Sequence, residues 1–320
     1  MFVFFLRPLE FQGASFVGSS LLGFFFATFK KSKIMSTENA LDSGVGQTMF
    51  DIAAAKQCFQ PRLANSHKGS HGHALLLAGN TGKMGAAIIA AKACLRAGTG
   101  LLTVGVPEHT QALIHTALPE AMVLDREQDP LVYPKYQSIG IGPGLGVEAV
   151  SVKQVSDLLE SGYQQIVLDA DALNILSAHP LLMQLVPKQA ILTPHPKEFD
   201  RLFGQFDNDD QRREKALAVS ITNGWVILLK GHQSFIAADG MGTFNTTGNA
   251  GLAKGGSGDC LTGIITALLA QGYTAAIATR LAVFLHGLAA DLALENQSME
   301  SLLATDVIES LGKAFKQLAI

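Results

Sequence analysis

The sequence predicts an α/β protein in which a mostly parallel central sheet is covered by helices on both faces, a three-layer arrangement. Three observations predict it. Short, continuous apolar runs recur along the chain, as strands buried on both faces require. Stretches of helical length separate them, which suits the crossovers of a parallel sheet. Each run then ends in glycine, proline or polar residues, at the strand ends where open parallel sheets bind ligands.

Taken in order, "HALLLAG" (His73 to Gly79) is strand-like and breaks into "NTGKMG". "AAIIAAKACLRAG" has helical length and ends on Gly98, a C-terminal glycine. "GLLTVGVPE" is the next strand and "QSIGIGPGLG" another. "QQIVLDADALNIL" runs from a strand into a helix, and "AILTPHPKEFDRLF" repeats that plan. "GWVILLKG" gives one more apolar strand, continued in the hairpin-like "VILLKGHQSFIAADG". From about Phe50 onward no long linker, low-complexity tract or repeat intervenes, so residues 35–320 read as a single domain.

Composition narrows the function. The 320 residues are 48% hydrophobic, enough for a sizeable core. A formal charge of −3, with no Lys/Arg run in the body, argues against a nucleic-acid partner. The three cysteines, Cys58, Cys94 and Cys260, have no CxxC spacing and an odd count, so neither a disulfide framework nor a zinc site is suggested and a reducing cytosol fits. Cys260 reads as a helix-packing residue rather than a nucleophile. Between Phe11 and Phe29 the chain has no charge, but the segment is interrupted by Gln12, Gly13, Ser15 and Gly18. Residues 1–34 are therefore read as an upstream extension from a misplaced start codon, with Met35 opening a polar "MSTENALDSG". Were they to span a membrane, Lys30, Lys31 and Lys33 would favour a cytoplasmic body.

The chemistry concentrates in "NTTGNAGLAKGGSGDCLTGII" (Asn245 to Ile265). Gly255, Gly256, Ser257 and Gly258 let successive N–H groups aim at one point, and a helix starting at Asp259 adds its dipole, which makes an anion loop. Asp259 can take a proton from a hydroxyl about to attack a bound phosphate. The alternative is a helix N-cap. Neither common nucleotide signature is present: "GNTGKMG" lacks Walker A spacing, and "GIGPGLG" carries Pro143. "TPHPKEF" holds His195 in a rigid turn, functional or structural. In "DAD", Asp169 and Asp171 either hold a metal-bound phosphate or cap the next helix. "KGHQS" (Lys230 to Ser234) puts a cation near the phosphate or is a solvated turn.

Together, "HKGSHGHALLLAG", "GAAIIAAKACLRAGTGLLTVGVPE", "IGIGPGLG", "VLDADALNIL", "ILTPHPKEFDRLFG", "VILLKGHQSFIAADG" and the glycine loop resemble the ADP/ATP-dependent NAD(P)H-hydrate dehydratases over about residues 50 to 315. The resemblance implies a ribokinase-like fold and a lyase that works through kinase chemistry. It would phosphorylate the C6 hydroxyl of the S epimer of NADHX or NADPHX and eliminate phosphate, restoring NADH or NADPH. Carried over, Asp259 is the base, and Gly258 with the preceding loop cradles the phosphoryl group. Lys230, Gly231, His232, Gln233 and Ser234 contact the adenine nucleotide. Ala86, Gly144, Gly146 and His195, with Asp259, line the hydrate pocket. Mg2+ is expected with the ADP or ATP co-substrate, and Asp169 and Asp171 are weak candidates to organise it.

Two departures stand out: Ser70 and His71 where the family commonly has an acid and an aromatic, and Lys254 beside the anion loop where a small polar residue is usual. The resemblance further implies a cytoplasmic homo-oligomer, commonly a tetramer. The roughly fifty residues before the match are too few for the epimerase domain fused to many bacterial members. A stand-alone dehydratase with a separate epimerase is therefore expected. Two competing readings are an alcohol kinase of the same fold, such as a vitamin-precursor kinase, and a nucleotide-binding regulatory module without catalysis.

Overall fold

In the computed structural model, which describes residues 47–129 and 131–319, every apolar run named above becomes a strand. The reading of residues 1–34 lies outside the described residues. In chain order the elements are β1 (Gln47–Phe50), α1 (Ile52–Cys58), β2 (His73–Leu77), α2 (Met84–Arg96), β3 (Leu101–Val106), α3 (Gln111–Ala117), β4 (Met122–Asp125) and β5 (Ser138–Ile141). Then follow α4 (Ala149–Glu160), β6 (Ile166–Leu168), α5 (Asp171–Ala178), α6 (Pro180–Met183), β7 (Ile191–Leu192), α7 (Pro196–Phe203), α8 (Asp209–Asn223) and β8 (Val226–Leu229). The chain ends in β9 (Phe235–Ala238), β10 (Met241–Asn245), α9 (Ser257–Ala270), α10 (Ala275–Ala293) and α11 (Ala304–Ala319).

The ten strands form one sheet in the order β1-β10-β9-β8-β7-β6-β5-β2-β3-β4. All pair in parallel except β9, which runs antiparallel to β8 and β10. Successive strand side chains point to opposite faces, and here both faces are dry. Leu75 and Leu77 of β2 pack with Leu158, Leu173, Phe199 and Leu217 of α4, α5, α7 and α8. Their neighbours Ala74 and Leu76 join Ala87, Ile264, Leu285 and Ile308 of α2, α9, α10 and α11. That double burial explains why the strands read as unbroken apolar runs, and it completes three layers. Truncating a residue such as Leu76, which has no exposed surface, to alanine would cost about 2–5 kcal/mol.

Helix α10 is long and apolar enough to cross a membrane, yet 72% of its most apolar window is buried inside the fold, so it is a core helix. Cys260 is fully buried on α9, as a packing residue should be. The connectivity also prepares a site. From β2 the chain runs outward to β3 and β4, then returns to the other side of β2 as β5. The loops after β2 and β5 therefore diverge from a topological switch point, where parallel sheets open a crevice. Across it the Gly79 N–H donates to the Pro143 carbonyl at 2.8 Å.

Candidate active site at the strand ends

The loop after β10 ends on Gly256, whose φ of +91° favours a residue without a Cβ and turns the chain into α9. The helix begins at Ser257, two residues earlier than the sequence placed it. Asp259 is consequently its third residue, and no side chain caps the helix, which removes the N-cap reading. The free N–H groups of the first turn and the helix dipole favour an anion here. Burial, with Asp169 and Asp171 nearby and Lys230 opposing, pushes the Asp259 carboxyl up to about 6. The Ser257 hydroxyl lies 3.4 Å from Nε2 of His286 on α10, and burial pushes that imidazole down to about 4, so it is neutral at pH 7.

Beside this turn stands Lys230, at the end of β8. Its ammonium lies 2.8 Å from Asp169 Oδ1 and 4.0 Å from Glu198 Oε2. Burial alone would lower its pKa, but Asp169, Glu198 and Asp259 outweigh that and hold it above the ordinary lysine value. A methyl group built on Gly258 would stand 3.5 Å from Lys230 Nζ, so the glycine loop and this lysine face one another. The rest of "KGHQS" differs: Gly231, His232 and Gln233 are exposed in the β8–β9 turn and Ser234 is half-buried. The structure thus divides that segment into an inward cation and an outward rim.

The two acids of "DAD" are occupied. Asp169 is 1% exposed and accepts from Thr193 and Thr262, each at 2.7 Å, besides Lys230. Burial would raise its carboxyl; Lys230, Thr262 and Thr193 prevail and hold it below the ordinary value. Asp171 Oδ2 accepts the Gly146 N–H at 2.8 Å and pairs with Lys83 at 3.2 Å, while Oδ1 accepts from Asn174. Neither caps α5, whose N-cap is Ala170. Among the described residues no group of three or more His, Cys, Asp or Glu could hold a metal ion. Asp169 and Asp171 thus spend these oxygens on donors of the protein itself.

At the switch point, Gly144 has φ +59°, and a Cβ there would come within 2.8 Å of the Lys83 carbonyl and 3.0 Å of the Ala86 methyl. Only a bare backbone fits this close to α2. Gly144 therefore lies against Ala86, whereas a Cβ on Gly146 would meet Glu148 and Asn80. Arg126, 3% exposed, donates to the carbonyls of Ala78, Gly79 and Leu145 and ties the two loops together. His195 caps α7: its Nδ1 accepts from the Lys197 and Glu198 N–H groups at 3.1 and 3.2 Å. Its proton therefore sits on Nε2, 3.5 Å from Glu198 Oε1. Burial is the main cause that keeps this imidazole below its ordinary pKa. Lys254 is turned away, its ammonium on the Glu300 carbonyl, so it adds no charge to the loop.

Sequence reasoning had not singled out Thr262, Thr193, Glu198, Arg126 or His286. Thr193, Glu198 and Thr262 lay inside quoted motifs; Arg126 and His286 carried no local signal.

Comparison with known proteins identifies the family. The sequence pattern of the NAD(P)H-hydrate dehydratase family matches residues 74–313. The ADP-dependent (S)-NAD(P)H-hydrate dehydratase of Bacillus subtilis is 40% identical over 266 residues, 80% of this chain and 93% of that protein. A bifunctional NAD(P)H-hydrate repair enzyme of Moorella thermoacetica is 35% identical over 80% of this chain, which spans only 52% of its length. The crystal structure of the Bacillus subtilis ADP/ATP-dependent NAD(P)H-hydrate dehydratase, co-crystallised with ATP/Mg2+, superposes with a TM-score of 0.76 at 34% identity, covering 87% of this chain and all of that one. The three layers are thus the ribokinase-like arrangement, and the chain belongs to the NAD(P)H-hydrate dehydratase family.

Proposed function

We propose that this protein is a lyase that dehydrates the S epimer of NADHX or NADPHX to NADH or NADPH at the expense of ADP or ATP. The observation that carries the reading is Asp259: a half-buried carboxylate with no hydrogen-bond donor among its described neighbours, poised near neutrality at a helix N-terminus beside a glycine loop. A base with a pKa of about 6 is ionised at pH 7 and still basic enough to take a proton.

In this mechanism Asp259 accepts the C6 hydroxyl proton as that oxygen attacks the terminal phosphorus of the nucleotide. The bond to the nucleotide's bridging oxygen breaks, and AMP or ADP leaves. The C6–O bond then breaks with its electron pair on phosphate, a C5 proton is lost, and the C5–C6 double bond returns. Hydroxide is a poor leaving group and phosphate a good one. The N–H groups around Gly255, Gly256, Ser257 and Gly258 hold the phosphoryl group, and Lys230 offsets its charge. Gly231, His232, Gln233 and Ser234 border the nucleotide, whereas Ala86, Gly144, Gly146 and His195 line the hydrate pocket. Magnesium would travel with the nucleotide phosphates, since Mg2+ commonly keeps several waters and few protein ligands.

Residues 35–320 form the dehydratase domain in this reading. The protein acts in the cytoplasm as a homo-oligomer, beside an epimerase that supplies the S epimer. The test mixes purified protein with NADHX, magnesium and either ADP or ATP and follows the reduced-nicotinamide absorbance. A nucleotide-dependent rise is expected. No rise from folded protein would transfer the assignment to an alcohol kinase of the same fold, and unchanged turnover in Asp259→Asn would remove Asp259 from the mechanism.

A further inference from the structure

A cavity lies away from Asp259. It occupies about 480 Å³ between the segment joining α1 to β2 and the end of α9, with Arg62, His67, Ser70, His71 and Tyr273 in its wall. Asp259 sits in the first turn of α9 and Tyr273 just beyond its last; fourteen helical residues separate the two regions by about 20 Å. The volume falls within the range of small-molecule sites.

The hydrogen-bond inventory gives the cavity a sign. None of its lining residues is an acid. His67 Nδ1 already accepts the Gly69 N–H at 3.1 Å, which leaves Nε2 as a donor. The Ser70 hydroxyl accepts the His67 N–H at 3.3 Å, and the Tyr273 hydroxyl accepts the Gln60 N–H at 2.9 Å, so each keeps a proton to give. Arg62 only donates, and one terminal nitrogen is used on the Gly98 carbonyl. His71 belongs to the wall, and its Nε2 is buried with no partner among the described residues. Of the last four carbonyls of α9, Ala267 and Leu268 accept the Gln271 N–H and Leu269 accepts the Gly272 N–H. Burial, then Arg62 and His67, lower the His71 pKa, consistent with positive potential there.

We propose that this cavity is a second ligand site, distinct from the dehydratase centre, which binds a phosphate-bearing small molecule through Arg62, His67, His71, Ser70 and Tyr273. The cluster presents donors and a guanidinium in a partly enclosed space and offers no acidic competitor. Such a set suits an oxyanion with several acceptor oxygens. The volume leaves room for an organic body beyond the phosphate.

Side-chain nitrogen NMR of histidine-labelled full-length protein tests this, with signals assigned through His67→Gln and His71→Gln. The probes are inorganic phosphate and ribose 5-phosphate. The expected result is saturable movement of the His67 and His71 signals, with affinity reduced tenfold or more in Arg62→Gln and turnover of the hydrate unchanged. A tighter response to ribose 5-phosphate would identify a phosphorylated metabolite as the ligand class, and equal responses would identify phosphate itself. Shifts confined to His195 and His286, which belong to the strand-end site, would overturn the proposal. So would absence of shifts, or a response that both Arg62→Gln and Tyr273→Phe leave intact.

Discussion

Asp169, at the end of β6, and Asp259, in the first turn of α9, both act on Lys230, yet their surroundings divide them. Around Asp169 two threonine hydroxyls and the ammonium fill the available directions, and the carboxyl is held below its ordinary pKa despite full burial. Around Asp259 no side chain among the described residues donates, and burial next to that other anion lifts it to about 6. The difference teaches that an acid in this crevice keeps a raised proton affinity by lacking partners. Asp169 fixes the lysine; Asp259 is left with proton affinity to use.

The sharpest way to break this contrast is to neutralise each acid. Asp259→Asn should lower kcat by about 10²–10⁴-fold, the range for loss of a general base. Asp169→Asn should instead show itself in stability, losing about 3–5 kcal/mol in denaturant melts because the Lys230 charge stays buried without its main partner. The melts also distinguish the acids by sign. A folded pKa raised from 3.8 to about 6 means the ionised Asp259 destabilises the fold. That cost appears as pH rises from about 4 to about 6 and is complete above. Asp259→Asn should therefore be the more stable protein at pH 8, by on the order of 3 kcal/mol, and gain little at pH 4. For Asp169 the sign reverses: its contribution is present above the unfolded carboxylate pKa and lost as pH falls through its depressed folded value.

Smaller changes sharpen the comparison. Thr262→Val removes one donor from Asp169 at 2.7 Å and should cost about 1–3 kcal/mol while the Asp169–Lys230 pair persists. Lys254→Ala should stay within about 0.5 kcal/mol, because its ammonium meets only an exposed backbone carbonyl. A large activity loss in Lys254→Ala would mean that the lysine turns back toward the anion loop.

Much of this was legible before the fold was known. Each unbroken apolar run became a strand because burial on both faces removes the need for alternation. Gly255 to Gly258 pointed to the anion loop because its requirements are local. β1, β4 and β10 gave no comparable signal: "QTMF" and "MVLD" are short edge strands with exposed positions, and "MGTFN" carries Gly242 and Asn245. The fate of "DAD" was illegible for a different reason. Thr193 and Thr262 come from β7's end and α9, so only tertiary structure brings them to Asp169. Arg126 and His286 likewise act at a distance in sequence, as a tie between loops and as a neutral neighbour of Ser257.

The most direct measurement of the central claim is the pH dependence of kcat/KM for the nicotinamide hydrate, in the native protein and in Asp259→Asn. If Asp259 is the base, the native profile should fall on the acid side with an inflection near 6, and that limb should disappear from the residual activity of the variant. An inflection in the ordinary carboxylate range near 4, or the same limb retained in Asp259→Asn, would contradict the assignment.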